Sequence, residues 1–495
     1  MRDHRSRLLG SVEALGNRLP DPALLFVLAL LLVWATSAVL AGAQFGLEDP
    51  RSHAPLQVTS LLSAAEVRRF WVELPTIFTS FPPLGVVLVA VMGVGVAERV
   101  GLVAVLLRAL LSVTPRRLLT PVVILVALFS HVAADAGFVV VVPLAGVLFR
   151  AAGRHPLTGI SAAFAGVSAA FSASLVPTPL DALLVGFTES AARLVNPNAA
   201  INPLCNWIFM SASSVLLTFL GWWVTDRVVE PMVAAIPQDG DEVGPEPSLA
   251  LEAPERRGMW AASLAIALVT AGMLALSVPE GAPFHAGPRE VSPLLKAVVP
   301  LILVVLLGSS VAFGVAARTI RDHKDVIQGM AKPFTTMGYY VVLAFFSALF
   351  LDAFTRSNLG VLLALYGARG LAALGLPSWL TLVGLVIATS ALDMLVVSAS
   401  AKWALISPVV VPMLLAVGLG PELSQAAYRI GDSITNVLTP LNPYFPLLIV
   451  FCQRWSKSVG LGTLLSLMLP YAGLFLVGWT ALLLVFVGLG LPLGL

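Results

Sequence analysis

Thr178-Pro179-Leu180-Asp181 and Thr439-Pro440-Leu441-Asn442 are near copies of one another, and each lies inside a long apolar stretch. Proline breaks a helix and an aspartate in hydrocarbon is expensive. Two such interruptions at matching places point to a binding site made of unwound backbone near the middle of a membrane. Freed carbonyls suit a cation, and the N-terminus of a restarted half-helix suits a carboxylate. Asp181 at such a break can hold a cation, carry a proton or cap the restarted helix. Asn442 is the neutral counterpart, offering an amide oxygen without charge.

Further polar groups sit in apolar surroundings. Arg429 falls near the middle of its stretch, where an arginine costs roughly 2.5–3.5 kcal/mol to insert and needs an anion. Asp432, three residues on and on the same helix face, is the internal candidate. The alternative is a substrate carboxylate, which the planar guanidinium fork matches. Asp393 and the run Ser398-Ala399-Ser400-Ala401-Lys402-Trp403 offer hydroxyls, a cation and an indole. Trp403 can stack on an aromatic ligand or anchor at a membrane interface, and Lys402 can snorkel or pair with an acid. His131 and Asp135 can relay a proton or make a hydrogen bond local to their turn. The ion-coupling candidates are therefore Asp181, Asp393, Asp432, Asn442, His131 and Asp135, with sodium at Asp393 and Asn442 as one option and a proton as the other. No other cofactor is expected.

The elements that must position these residues follow from composition. Of 495 residues, 58% are hydrophobic and 11% charged, and mean hydropathy is +0.93. That is the profile of an all-α polytopic membrane protein. No long basic run exists, which argues against nucleic acid, and Cys205 and Cys452 have no disulfide or metal spacing. Arg2, Arg5 and Arg7 before an apolar stretch resemble a secretion signal, but the stretch runs for a full bilayer width and reads as a retained first helix.

Stretches long enough to span fall near 22–44, 78–97, 157–195, 206–226, 259–277, 293–317, 333–354, 421–451 and 463–490. Residues 157–195 and 421–451 read as helices broken mid-membrane. Residues 118–150 and 378–417 read as re-entrant hairpins, permitted where protein or a watery cavity covers the backbone. About nine spans and two hairpins put the basic segments on the cytoplasmic side with the N-terminus, and the two hairpins enter from opposite sides. This is an inverted repeat: 78–195 and 333–451 form the core, 1–77 holds the first helix and an outside loop, 196–332 holds scaffold helices and a linker, and 452–495 the last helix.

The strings SASAKWA (398–404), GDSITNVLTPLNPYFP (431–446), FPPLGVVLVAVMGVGVAE (81–98) and LVPTPLDALLVGFTE (175–189) resemble the p-aminobenzoyl-glutamate transporter (AbgT) family over nearly the whole chain. The resemblance implies a homodimer in the bacterial inner membrane with nine transmembrane helices and two hairpins. It also implies ion-gradient-driven transport of aromatic carboxylates such as p-aminobenzoyl-glutamate, or export of sulfonamide antimetabolites. It places Asp181, Ser400, Trp403, Pro421, Arg429, Asp432 and Pro440 along the substrate route. Members often carry asparagine where this chain has Asp393, so the coupling ion stays open between sodium and proton. A sodium-coupled dicarboxylate symporter shares the hairpins and broken helices but not the SASAKWA string. An intramembrane aspartic protease would need glycine where Arg429 stands. A channel is disfavoured because inverted broken helices suit alternating access.

Overall fold

The computed structural model describes residues 21–112, 114–132, 137–240, 250–285, 293 and 297–495. It is all-helical: among the described residues there is no β-strand, only an isolated bridge between Glu48 and Pro55. Among the same residues, eight helices are long and apolar enough to cross a membrane, or up to ten if each of two bent pairs counts as one span. The nine spans expected from the sequence fall inside that range.

The chain opens with α1 (Pro22–Leu40), whose first turn Asp21 caps through the Ala23 N–H at 2.8 Å. The first half then runs α2 (Ala64–Thr79), α3 (Pro82–Val100) and α4 (Leu102–Ser112). The hairpin arms α5 (Leu119–Phe129) and α6 (Val142–Ala151) follow, then α7 (Pro156–Phe164), which continues as a π-helix over Ala165–Ala169. After a break at 170–178 the chain restarts as α8 (Pro179–Ala192). Between the halves lie α9 (Trp207–Val224), α10 (Glu230–Val233), α11 (Ala253–Ser277) and α12 (Val298–Ala316).

The second half repeats the order. It runs α13 (His323–Thr336), α14 (Gly338–Arg356) and α15 (Leu359–Ala373), then the hairpin arms α16 (Ser378–Asp393) and α17 (Ala399–Ala416). The broken helix is α18 (Pro421–Ile434) followed by α19 (Phe445–Gln453), and α20 (Leu461–Leu489) closes the chain. The chain turns by 118° between α15 and α16.

Each half begins with an amphipathic helix that the apolar stretches do not reveal. The stretch 45–75, expected as a loop, ends in α2, and α13 precedes the second span. Both carry start signals. Ser63 accepts the Glu66 N–H at 3.3 Å, and Asp322 accepts those of Lys324 and Asp325 at 2.9 and 3.2 Å. These helices brace the opposite half. Arg69 of α2 reaches Asp352 of α14 at 2.6 Å, and Asp325 of α13 receives Arg99 of α3 at 2.9 Å. Arg99 of α3 and Asp352 of α14 are therefore each paired with the leading helix of the other half.

Two apolar cores flank α18. One contains Phe164, Phe209, Ile430, Tyr471 and Trp479, the other Phe26, Phe187, Leu343, Trp403 and Tyr428. Ile430 and Tyr428 thus put α18 at their seam. Its approach to α16 is close: a side chain at Gly431 would strike Thr389 Oγ1 and the Val386 carbonyl.

Candidate functional site

The Thr-Pro-Leu-Asp segment starts α8. Thr178 is the N-cap, Pro179 has the fixed φ that a first turn accepts, and Asp181 stands at the third position. Asp181 Oδ2 accepts the Thr178 N–H at 2.6 Å and its hydroxyl at 2.8 Å. Its other oxygen, Oδ1, pairs with Arg429 Nη1 at 2.6 Å. One carboxylate therefore caps its own helix and meets a cation from the second broken helix. Arg429 Nη2 also donates to the Ser172 carbonyl, freed by the break, at 3.0 Å. The anion of Arg429 is Asp181; the Asp432 expected from sequence spacing is engaged elsewhere.

Asp432 and Asp393 share one cation. Lys402 Nζ lies 2.8 Å from Asp432 Oδ1 and forms a short ion pair with Asp393. Asp393 and Asp432 are 0% exposed and Lys402 is 2% exposed, so bulk water does not screen the group. The Thr435 hydroxyl lies 2.7 Å from Asp393 Oδ2, and the Tyr428 hydroxyl lies 2.8 Å from Asp432 Oδ1 and 2.6 Å from the Ala399 carbonyl. Among the described residues, buried Asp432 Oδ2 has no hydrogen-bond partner. Two carboxylates against one ammonium give a formal charge of −1 when all three are ionised.

Trp403 is buried, not interfacial. It stacks on Tyr428 with ring centroids 4.3 Å apart, and its indole N–H donates to Thr188 Oγ1 at 2.9 Å. Gln425 Oε1 lies 2.6 Å from the same hydroxyl, while Gln425 Nε2 and Arg429 Nε are buried without partners among the described residues. Gln425, Arg429 and Asp432 recur along one face of α18 as a polar stripe against α8 and the second hairpin. Thr188, Gln425, Tyr428 and Thr435 were not singled out from the sequence. The signal was present in α18, where polar residues recur at helical spacing between apolar ones.

The remaining candidates are spread around this centre. Ser400 lies 3.2 Å from Ser398 at the start of α17, where Ser398 is the N-cap. Pro421 opens α18, and Pro440 lies in the turn of the second break. Asn442 is not joined to Asp393. Its amide nitrogen donates to the Asn436 carbonyl at 2.8 Å and to Ser168 Oγ at 3.2 Å, and its oxygen accepts the Tyr444 N–H at 3.0 Å. His131 sits at the first hairpin's tip with both ring nitrogens against carbonyls of the first broken helix. Asp135 lies outside the described residues.

A cavity of about 1020 Å³ is lined by α3, by Ala182, Val185 and Glu189 of α8, and by Cys205 and Glu422. Ala182, on its wall, is the residue that follows Asp181 in the chain. The arrangement is a buried polar seam between two broken helices.

Relatives with this architecture are known. The chain matches the AbgT putative transporter family over residues 7–495. It is 35% identical over 491 residues to the p-aminobenzoyl-glutamate transport protein of Escherichia coli K12, covering 99% of this chain and 96% of that protein. The crystal structure of the Alcanivorax borkumensis YdaH transporter, described as having an unusual topology, superposes with a TM-score of 0.91 at 38% identity, covering 96% of this chain and all of that one. Neisseria gonorrhoeae MtrF, described as illuminating a class of antimetabolite efflux pumps, gives a TM-score of 0.89 at 36% identity over 97% of both chains. Family match, identity and coverage agree across the whole length, and the chain belongs to the AbgT family of multi-pass membrane transporters.

Proposed function

We propose that the protein is an ion-gradient-coupled secondary transporter of aromatic carboxylates such as p-aminobenzoyl-glutamate, or an exporter of sulfonamide antimetabolites. The Arg429–Asp181 pair carries the reading: it closes the seam between the two broken helices, and a substrate carboxylate or sulfonyl group competes with Asp181 for the guanidinium. Opening the pair frees Asp181 for a cation or proton. Trp403, Tyr428 and Gln425 then border the place where an aromatic ring and a polar group would lie. The Asp393–Lys402–Asp432 cluster, one negative charge in excess, takes the coupling ion. Alternating access moves the two halves, an inverted repeat of 78–195 and 333–451, against the other helices. The host is a bacterial inner membrane with the N-terminus in the cytoplasm, and the unit is a homodimer.

The test is flux of labelled p-aminobenzoyl-glutamate into proteoliposomes under sodium and proton gradients imposed separately, with unlabelled succinate and a sulfonamide as competitors. Gradient-dependent flux is expected, inhibited by the sulfonamide but not by succinate. Asp393→Asn brings the cluster to charge neutrality, and its flux should lose most of its dependence on the coupling gradient. Inhibition by succinate would favour a dicarboxylate symporter, and no flux of any of these solutes by folded protein would overturn the reading.

A further inference from the structure

The second hairpin is tied to its broken helix by Lys402, whose ammonium lies between two carboxylates. The first hairpin is tied differently. At its tip, His131 Nε2 lies 3.0 Å from the Val167 carbonyl and Nδ1 lies 3.2 Å from the Ala173 carbonyl. Both carbonyls belong to the first broken helix, one in its π-helical end and one in the break. Helix ends leave carbonyls without intrahelical donors, and these two point at one ring. Packing holds the ring there. Phe171 meets it edge-on at 5.6 Å, and Gly137, across the tip, has no room for a side chain beside Ser130 and Val167.

A neutral imidazole has one N–H and one lone pair. Between two carbonyls it satisfies one and sets its lone pair against the other. Only the doubly protonated ring donates to both. Burial opposes a charge on the ring; the two carbonyls favour it, and among the described residues so does the field of Asp181, itself paired with Arg429. Arg429 donates to the Ser172 carbonyl, next in the chain to the Ala173 carbonyl that His131 holds. The break is thus gripped at adjacent residues from two sides, by a permanent cation and by a titratable one.

We propose that His131 is a proton-binding site that fastens the first hairpin to the broken helix, its doubly protonated ring bridging the Val167 and Ala173 carbonyls. Loss of the proton turns one donor into a lone pair facing an oxygen, and the tip separates from the break. The clamp is closed at low pH and released as pH rises. Its part in transport rests on the ion-coupled reading above; the clamp itself does not.

The experiment is a titration of protein with ¹⁵N-labelled histidine in lipid nanodiscs, from about pH 5 to about pH 9, with His131→Gln identifying the His131 signal. The wild-type ring should pass from doubly protonated to neutral. Over the same range, hydrogen-exchange protection of 119–132 and 165–178, corrected for intrinsic rates, should fall about tenfold. In His131→Gln that pH dependence should vanish. A ring that stays neutral throughout, or protection indifferent to pH, would overturn the proposal. If the variant does not fold, the wild-type exchange profile decides alone. Flux separates the two readings: absence of coupled flux in wild type strikes at the transport reading, whereas undiminished proton-driven flux in folded His131→Gln removes the coupling role.

Discussion

Arg429 makes two contacts that a smaller cation does not reproduce together. It pairs with Asp181 and donates from its second terminal nitrogen to Ser172. It is 1% exposed, and its removal takes the ion-pair partner from Asp181 Oδ1 and a donor from the Ser172 carbonyl. Breaking a buried pair from one side costs about 3–5 kcal/mol. Arg429→Ala should lose about that much in unfolding measured in micelles, together with transport. Arg429→Lys keeps the charge but not the fork, and should recover only part of the stability. The double variant Asp181→Asn with Arg429→Gln removes both charges and should be more stable than Arg429→Gln alone. Normal flux from a folded Arg429→Ala protein would take the arginine out of the site.

Helices carry the next level, and Gly431 shows how closely they must meet. The absence of a side chain lets α18 lie against Val386 and Thr389 of α16, which brings Asp432 within reach of Lys402. Gly431→Ala drives a methyl into the Val386 carbonyl and the Thr389 hydroxyl. Overpacking of this kind costs about 1–3 kcal/mol, and thermal unfolding should show it. Thr389→Ala should restore part of the loss, because the Val386 carbonyl stays in place. Full restoration would show that α16 yields and that the close approach is not required. The broken helices and hairpins were legible from proline and polar residues inside apolar stretches, because such interruptions have no other stable place in hydrocarbon. The helices α2 and α13 were not, since they are amphipathic and hydropathy reads them as loop; only the caps at Ser63 and Asp322 mark them. In the site, spacing along one helix proposed Asp432 for Arg429, but the pairing crosses between helices, and a single sequence does not show which helices will touch.

At the scale of the molecule, the two halves hold one another through these overlooked helices, and the two braces differ. Arg69 is 13% exposed and meets Glu66, Glu73 and Asp352, each within 2.9 Å. The Arg99–Asp325 pair is more open to solvent. The Arg321 backbone N–H, with the Arg99 guanidinium, holds the Asp325 carboxyl below the usual carboxylate range. A carboxyl whose folded pKa is depressed contributes stability above its unfolded pKa and loses it as pH falls through the folded value. The brace at α13 should therefore weaken in acid, below the ordinary aspartate range, and Asp325→Asn should remove that part of the acid sensitivity. Arg69→Gln leaves three carboxylates without their shared cation and should cost about 1.5–3 kcal/mol, as for hydrogen bonds to charged groups. Arg99→Gln should cost much less, in line with exposed pairs. The two sites bind different helix pairs and share no partner, so the double variant should lose the sum of the single losses. A loss well beyond the sum, measured by unfolding in micelles, would mean that the braces act together as one closed frame between the halves, and that releasing either one loosens the other.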